Sequence, residues 1–227
     1  MPDALRLVVF DVDGTLVDSR AHIIDAMEDA FANVGIAAPS REAVLHGVGL
    51  SLPELMAQLA PEQSASIHQA LAEGYKSASF ARHMSAGETA KVAFFPGIRD
   101  VLDNLKSDDF TLMATATGMS RRGLDRIIAQ HGLEGYFQST QVADTHPSKP
   151  HPSMLYAALN ETGVSPENAV MIGDTSYDMV MAKAAGTRAV GVTWGNHPAE
   201  YLSEADVLVD TTDALMAALM TWIEDLA

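Results

Sequence analysis

The chain has 227 residues, no cysteine, and 14 Lys and Arg against 30 Asp and Glu, which gives a formal net charge of −16. This balance argues against a binder of nucleic acid, because phosphate backbones are held by a surplus of basic side chains. The absence of cysteine excludes disulfide scaffolds, Cys-ligated zinc, iron–sulfur clusters and cysteine nucleophiles, and 48% hydrophobic residues is typical of a globular protein.

The N-terminal stretch, MPDALRLVVF, does not have the basic start and cleavage site of a signal peptide. No uncharged apolar stretch approaches the roughly 18 residues of a spanning helix. We therefore expect a cytoplasmic protein without membrane or nucleic-acid partners, whose oligomeric state the sequence leaves unknown. In so acidic a chain, a small anionic ligand needs a local positive site.

Short apolar runs predict the strands of a parallel sheet. They lie at residues 5–10, 111–116, 169–172, 189–193 and 205–209, with a weaker run near 137–142. Helical patterns separate the later runs, and three of them end at a glycine, namely Gly132, Gly163 and Gly186. The alternation predicts an α/β fold with a doubly wound parallel sheet.

Residues 19–90 carry helical patterns without a convincing strand. One apolar stripe runs from Ile23 to Val34 before Gly35, a second from Leu52 to Leu59, and a third from Ile67 to Tyr75. We expect a helical cap domain at 19–90, inserted into an α/β core domain of residues 1–18 and 91–227. Directly after the first strand, such an insertion lies where open α/β sheets bind ligands, which suits a lid.

Two acids follow the first strand, in the string FDVDGTLVDS at 10–19. Asp11 and Asp13 repel each other unless a cation or a shared proton intervenes, and Gly14 permits a sharp turn. Mg²⁺ is the natural cation for such oxygen ligands. The alternative is an acidic turn that merely ends a strand.

A second acidic motif, GDTSYD at 173–178, follows the strand predicted at 169–172. If this strand neighbours the first, Asp174 converges on Asp11, because both follow carboxyl ends of strands. Asp178 lies near a helix start, so it could instead be an ordinary capping acid.

Two further segments could bind an anion. Thr117 and Gly118 end a strand before Ser120, and a helix N-terminus offers free N–H groups; the alternative makes Ser120 an ordinary N-cap. Lys149, between Ser148 and Pro150, could neutralise phosphate or carboxylate charge, or be a solvated surface lysine. The eight histidines show no tight metal spacing, and we expect most at surface or loop positions.

Four motifs follow one another along the chain: DVDGT, a strand ending in Thr-Gly, Lys-Pro, and GDTSYD. This ordered set resembles the haloacid dehalogenase superfamily of aspartyl phosphotransferases, and the resemblance covers essentially the whole chain. The helical segment after the first motif is similar to the small cap of its phosphoglycolate-phosphatase-like branch. The resemblance implies a nucleophile at Asp11 and a general acid and base at Asp13, which the superfamily's dehalogenases lack. One departure is Met119, where many relatives carry a polar or basic residue.

The remaining implied roles concern the metal and the phosphoryl group. Mg²⁺ would be held by Asp11, by the carbonyl of Asp13, by Asp174, and by Asp178 directly or through water. Thr117 and Gly118 would bind phosphoryl oxygens, and Lys149 would offset their charge.

We thus expect a Mg²⁺-dependent phosphatase that hydrolyses a small phosphomonoester through an aspartyl-phosphate, with phosphoglycolate as a candidate. The alternatives are a phosphomutase similar to the β-phosphoglucomutase branch and a non-catalytic binding protein. Cap residues that could meet the leaving group are Arg20, His22, His46 and Lys76.

Overall fold

The computed structural model describes residues 4–86 and 92–226. The strands are β1 Arg6–Phe10, β2 Val17–Asp18, β3 Ala93–Phe94, β4 Thr111–Thr117, β5 Ser139–Val142, β6 Ala169–Gly173, β7 Arg188–Val192 and β8 Val207–Val209. The helices are α1 Arg20–Val34, α2 Arg41–His46, α3 Leu52–Leu59, α4 Ala65–Ala86, α5 Ile98–Lys106, α6 Arg121–His131, α7 Ser153–Thr162, α8 Ser176–Ala185 and α9 Thr212–Asp225.

Six of these strands form a parallel sheet in the order β5–β4–β1–β6–β7–β8. Successive side chains of a strand point to opposite faces of the sheet, so β1 contributes side chains to two apolar clusters. Val8 and Phe10 pack in a cluster with residues of α5, α6 and α9, whereas Leu7 and Val9 pack with α7 and α8. The predicted doubly wound α/β fold is confirmed, with β1 at the centre of the sheet.

Helices α1–α4 and their connections, residues 20–86, are called the helical insertion below. They share an apolar cluster of their own that includes Ile24, Met27, Phe31, Leu55 and Leu71. The stripes that predicted three helices correspond to α1, α3 and α4, and Gly35 ends α1 in the left-handed conformation. The division into a core and a cap at 19–90 stays a prediction, and its second boundary lies outside the described residues.

The sequence did not predict α2 or the short antiparallel pair of β2 and β3. A six-residue helix and two-residue strands are too short to show a hydrophobic period. The pair joins Val17 to Phe94 and Asp18 to Ala93, so the chain leaves and re-enters the α/β part side by side.

The helical insertion contacts the loops at the carboxyl ends of the strands. Ser51 N donates to Ser148 Oγ at 2.8 Å, and the Tyr177 hydroxyl donates to the His46 carbonyl at 3.3 Å. The His46 ring stacks on that of His197, with centroids 4.5 Å apart. His197 lies in a loop, as expected of most histidines, but it is only 1% exposed because the insertion covers it.

The described part of the chain contains no helix that is both long and apolar enough to cross a membrane.

Candidate active site

Three acids meet at the carboxyl edge of the sheet. Asp11 directly follows β1 and Asp174 directly follows β6, and these strands are hydrogen-bonded neighbours. Carboxylate oxygens of Asp11, Asp174 and Asp178 lie within 4.8 Å of one another, and all three residues are buried. The expected convergence of Asp11 and Asp174 is therefore present in the structure.

Asp174 is fixed by loops that follow two other strands. Thr15 Oγ1 donates to its Oδ1 at 2.9 Å, and both the main-chain N and Nδ2 of Asn196 donate to its Oδ2, at 2.7 and 2.9 Å. Gly14 has φ +84°, and a Cβ there would lie 2.2 Å from Asp174 Oδ2. Sequence reasoning anticipated the turn at Gly14 but missed Asn196, whose signal is a polar residue shortly after a predicted strand.

Asp178 serves two purposes at the start of α8. Its Oδ2 accepts hydrogen bonds from Thr175 N at 3.1 Å and from Thr175 Oγ1 at 2.7 Å, which closes a capping box. Its Oδ1 accepts a hydrogen bond from Lys149 Nζ at 2.6 Å. The capping alternative is thus correct, and the cap holds this carboxylate beside the other acids.

Lys149 contacts two of the clustered acids and is only 1% exposed, so the surface alternative is wrong. Its Nζ is 2.9 Å from Asp11 Oδ1 and 2.6 Å from Asp178 Oδ1. Burial by itself lowers the pKa of Lys149, but the charges of these two carboxylates outweigh it and raise the pKa above its ordinary value. The lysine is therefore a permanent cation at neutral pH.

The negative charges of the clustered acids are only partly compensated by Lys149. Burial raises the pKa of Asp11 well above its ordinary value, because the opposing charge of Lys149 is offset by the neighbouring carboxylates. Burial, followed by the charge of Asp178, raises the pKa of Asp174 to about 7. Within residues 4–86 and 92–226, Asp11 Oδ2 receives no hydrogen bond although it is buried. An orphaned carboxylate oxygen in a cluster of buried acids fits a hard divalent cation such as Mg²⁺.

Asp13 differs from these acids in its surroundings. It is half-buried, and its carboxylate is not among the three clustered ones. Burial raises the pKa of Asp13, and the positive charges of Lys149 and Arg126 oppose this only in part. A raised pKa suits a group that must carry a proton at near-neutral pH.

Asp11 and Asp13 open into a cavity of about 600 Å³ between the helical insertion and the start of α6, and Thr117 and Gly118 line its core side. A Cβ on Gly118 would lie 2.5 Å from the Gly49 carbonyl, so the insertion rests directly on this residue. Ser120 Oγ accepts a hydrogen bond from Gly123 N at 3.3 Å, which confirms its alternative role as an N-cap.

Four insertion residues were expected to be able to meet a leaving group. His22 and Lys76 line the cavity. Arg20 instead pairs with Asp18, with Nη2 2.6 Å from Oδ2, and His46 stacks on His197 at the rim of the sheet. Sequence reasoning missed Tyr75 and Arg126, which line the cavity beside Asp13.

Comparisons with known proteins agree with this geometry. Residues 8–192 match the family model described as haloacid dehalogenase-like hydrolase. The chain is 34% identical to the probable phosphatase IndB of Dickeya dadantii, covering 93% of this chain and 92% of that protein. It is 32% identical to a phosphoglycolate phosphatase of Pseudomonas putida, covering 90% and 75% respectively. A solved β-phosphoglucomutase of Clostridium difficile superposes with a TM-score of 0.82 at 20% identity, covering 98% of both chains.

Proposed function

Because the chain belongs to the haloacid dehalogenase-like hydrolase family and is a hydrolase of phosphoric monoesters, we propose that it works through an aspartyl-phosphate on Asp11 with the help of Mg²⁺. The observation that carries this proposal is the position of Asp11. It directly follows the central strand β1, has a buried oxygen without a donor among the described residues, and opens into a cavity beside a second acid of raised pKa.

The proposed reaction has two displacements at phosphorus. In the first, a carboxylate oxygen of Asp11 bonds to phosphorus, the bond to the leaving oxygen breaks, and Asp13 gives its proton to that oxygen. In the second, Asp13 takes a proton from water, the water oxygen bonds to phosphorus, and the bond to Asp11 breaks. The raised pKa of Asp13 supports its protonated start.

The other predicted residues hold charge. Asp11, Asp174, Asp178 and the carbonyl of Asp13 are the groups that would hold Mg²⁺, which supplies positive charge to the phosphoryl oxygens when bound. Lys149 contacts Asp11 Oδ1 at 2.9 Å, and its charge lowers the pKa of Asp11 against the effect of burial. Thr117 and Gly118, on the core side of the cavity, are the proposed phosphoryl-binding residues.

Phosphoglycolate is the first substrate to assay, because several relatives are named for it, including that of Pseudomonas putida. The phosphomutase alternative draws only on solved structures whose low identity shows the fold alone. Release of inorganic phosphate in proportion to substrate consumed separates the two, because a mutase retains the phosphoryl group on its product. A cytoplasmic location stays a prediction.

Asp11→Asn tests the proposal. We expect turnover of a generic aryl phosphate to fall by several orders of magnitude with the fold retained, because the amide is not a nucleophile. In the wild type, acid-quenched mass spectrometry should find phosphate on the peptide that carries Asp11. Asp206→Asn, a substitution of an exposed acid paired with Lys183, is the control and should keep full activity. An Asp11→Asn protein with wild-type turnover would refute the assignment.

A further inference from the structure

The cavity above Asp11 and Asp13 is larger than phosphoglycolate requires. Its volume of about 600 Å³ lies within the range of roughly 300–1,000 Å³ of pockets that enclose drug-sized ligands. Phosphoglycolate has a two-carbon acid beside its phosphate, so it would leave most of this space empty. The volume therefore indicates a leaving group with more atoms.

The insertion side of the cavity is mainly apolar, whereas the core side combines apolar with charged and polar residues. The helical insertion contributes Leu52 and Phe80 among others, and the core contributes Met119 and Ile127. Apolar walls favour a ligand that brings apolar surface out of water. An aromatic ring between α4 and α6 would meet this condition, whereas a purely polar leaving group would not.

Arg126 is one of four lysine and arginine residues that line the cavity, the others being Lys76, Arg121 and Arg122. It is half-buried on α6 and lines the cavity. In the described ranges, no carboxylate lies within 4.0 Å of its guanidinium, and no hydrogen bond to it is present. The other two α6 arginines are engaged: Arg121 donates to Thr140 Oγ1 at 2.8 Å, and Arg122 lies 3.9 Å above the ring of Phe80.

The unpaired state of Arg126 is unusual in a chain of net charge −16. A half-buried guanidinium has lost part of its hydration, which costs free energy unless an acceptor replaces the water. Its charge acts on Asp13 and on Tyr75: burial raises the pKa of both groups, and Arg126 opposes the rise. Arg126 thus lines the same cavity as Asp13, the proposed proton donor, and is near enough for its charge to act on that carboxyl.

We propose that the leaving group has an apolar body the size of an aromatic ring and carries an anionic group, such as a carboxylate, that Arg126 binds. A guanidinium pairs with a carboxylate through two parallel N–H donors, which sets orientation as well as affinity. The inference rests on the proposed phosphatase function and names the substrate class of that same site.

The test compares phenyl phosphate, 4-carboxyphenyl phosphate and phosphoglycolate. For the wild type, kcat/KM for 4-carboxyphenyl phosphate should exceed each of the other two by about tenfold or more, the factor expected for one charged hydrogen-bonded pair. In Arg126→Met, the ratio of carboxyphenyl to phenyl phosphate should fall to near one. Comparing this ratio between variants cancels the intrinsic difference between the two phenols.

Arg99→Met is the control, because it removes the same charge from an exposed residue of α5 that does not line the cavity, and it should keep the wild-type ratio. Thermal unfolding shows whether each variant is folded, and Arg126→Lys, which keeps the charge without the planar fork, should give an intermediate ratio. The inference is overturned if phosphoglycolate has the highest kcat/KM, if Arg126→Met keeps the ratio, or if Arg99→Met abolishes it equally. If no phosphate ester is hydrolysed, the proposed function itself has failed; hydrolysis with another preference overturns the inference alone.

Discussion

Lys149→Met is the substitution that tests most directly how the acid cluster is held together. The variant removes the cation between Asp11 and Asp178 while keeping a side chain of similar length and apolar character. Both ion pairs are fully buried, with Nζ 2.9 and 2.6 Å from the two carboxylates. Without Lys149, the two carboxylates lose the cation that contacts both of them.

Removing one partner of a buried ion pair costs about 3–5 kcal/mol, because the remaining charge stays buried. For a chain of this length, each kcal/mol lowers the melting temperature by about 2–4 °C, so we expect a fall of roughly 6–20 °C in chelator. The loss should grow as pH rises. Burial already raises the pKa of Asp11, and losing Lys149 raises it further, so the native variant holds protons that the unfolded chain releases.

The assay is thermal unfolding in chelator across mildly acidic to mildly basic pH. Lys183→Met is the control, because Lys183 and Asp206 form an exposed pair with 37% and 36% of their side chains accessible. Breaking such a pair costs at most about 1 kcal/mol. Equal losses for the two variants, or a Lys149→Met deficit that does not change with pH, would refute this account of the cluster.

Two further predictions concern the same cluster. Mg²⁺ should raise the melting temperature of the wild type more at about pH 8 than at about pH 5.5. The pKa of Asp174 is raised to about 7, so this carboxyl is protonated at the lower pH and cannot bind the ion. Equal shifts of the melting temperature at both pH values would contradict this prediction. Gly14→Ala should abolish the Mg²⁺-dependent shift of the melting temperature, because the new Cβ would lie 2.2 Å from Asp174 Oδ2. Gly35→Ala is the control, because Gly35 has a similar φ of +77° but no atom within 4 Å of the position of a Cβ. This variant should keep the shift and lose only about 1–2 kcal/mol of stability.

The parts of the fold that the sequence predicted are those with a repeated local signal. The central strands are runs of apolar residues buried on both faces, and Gly132, Gly163 and Gly186 end their helices in the left-handed conformation. Helix α2 was not predicted from the sequence, because its six residues form less than two turns and show no hydrophobic period. Its one clear signal is Ser40, whose Oγ accepts a hydrogen bond from Ala43 N at 3.2 Å.

The residues of the site also divide into those with a local sequence signal and those placed only by packing. Acids directly after strands could be placed from the sequence, because adjacent parallel strands bring their ends together. The burial of Lys149 could not be predicted, since it depends on residues 29 or more positions away in the chain. Asn196 and Arg126 were missed for the same reason: neither belongs to a recurring motif, and only packing shows that one binds Asp174 and the other lines the cavity.

The charge of the cluster explains why a divalent cation is expected rather than a second lysine. Asp11, Asp174 and Asp178 carry three negative charges when ionised, and Lys149 compensates one of them. Two remain in a buried position, where a phosphate dianion would be repelled. One divalent ion would bring the cluster to neutrality, and the raised pKa of Asp13 favours the protonated form of the proposed general acid. An anionic ester could then approach Asp11 in a protein of net charge −16. A monovalent ion would leave one charge uncompensated, and it should not support turnover.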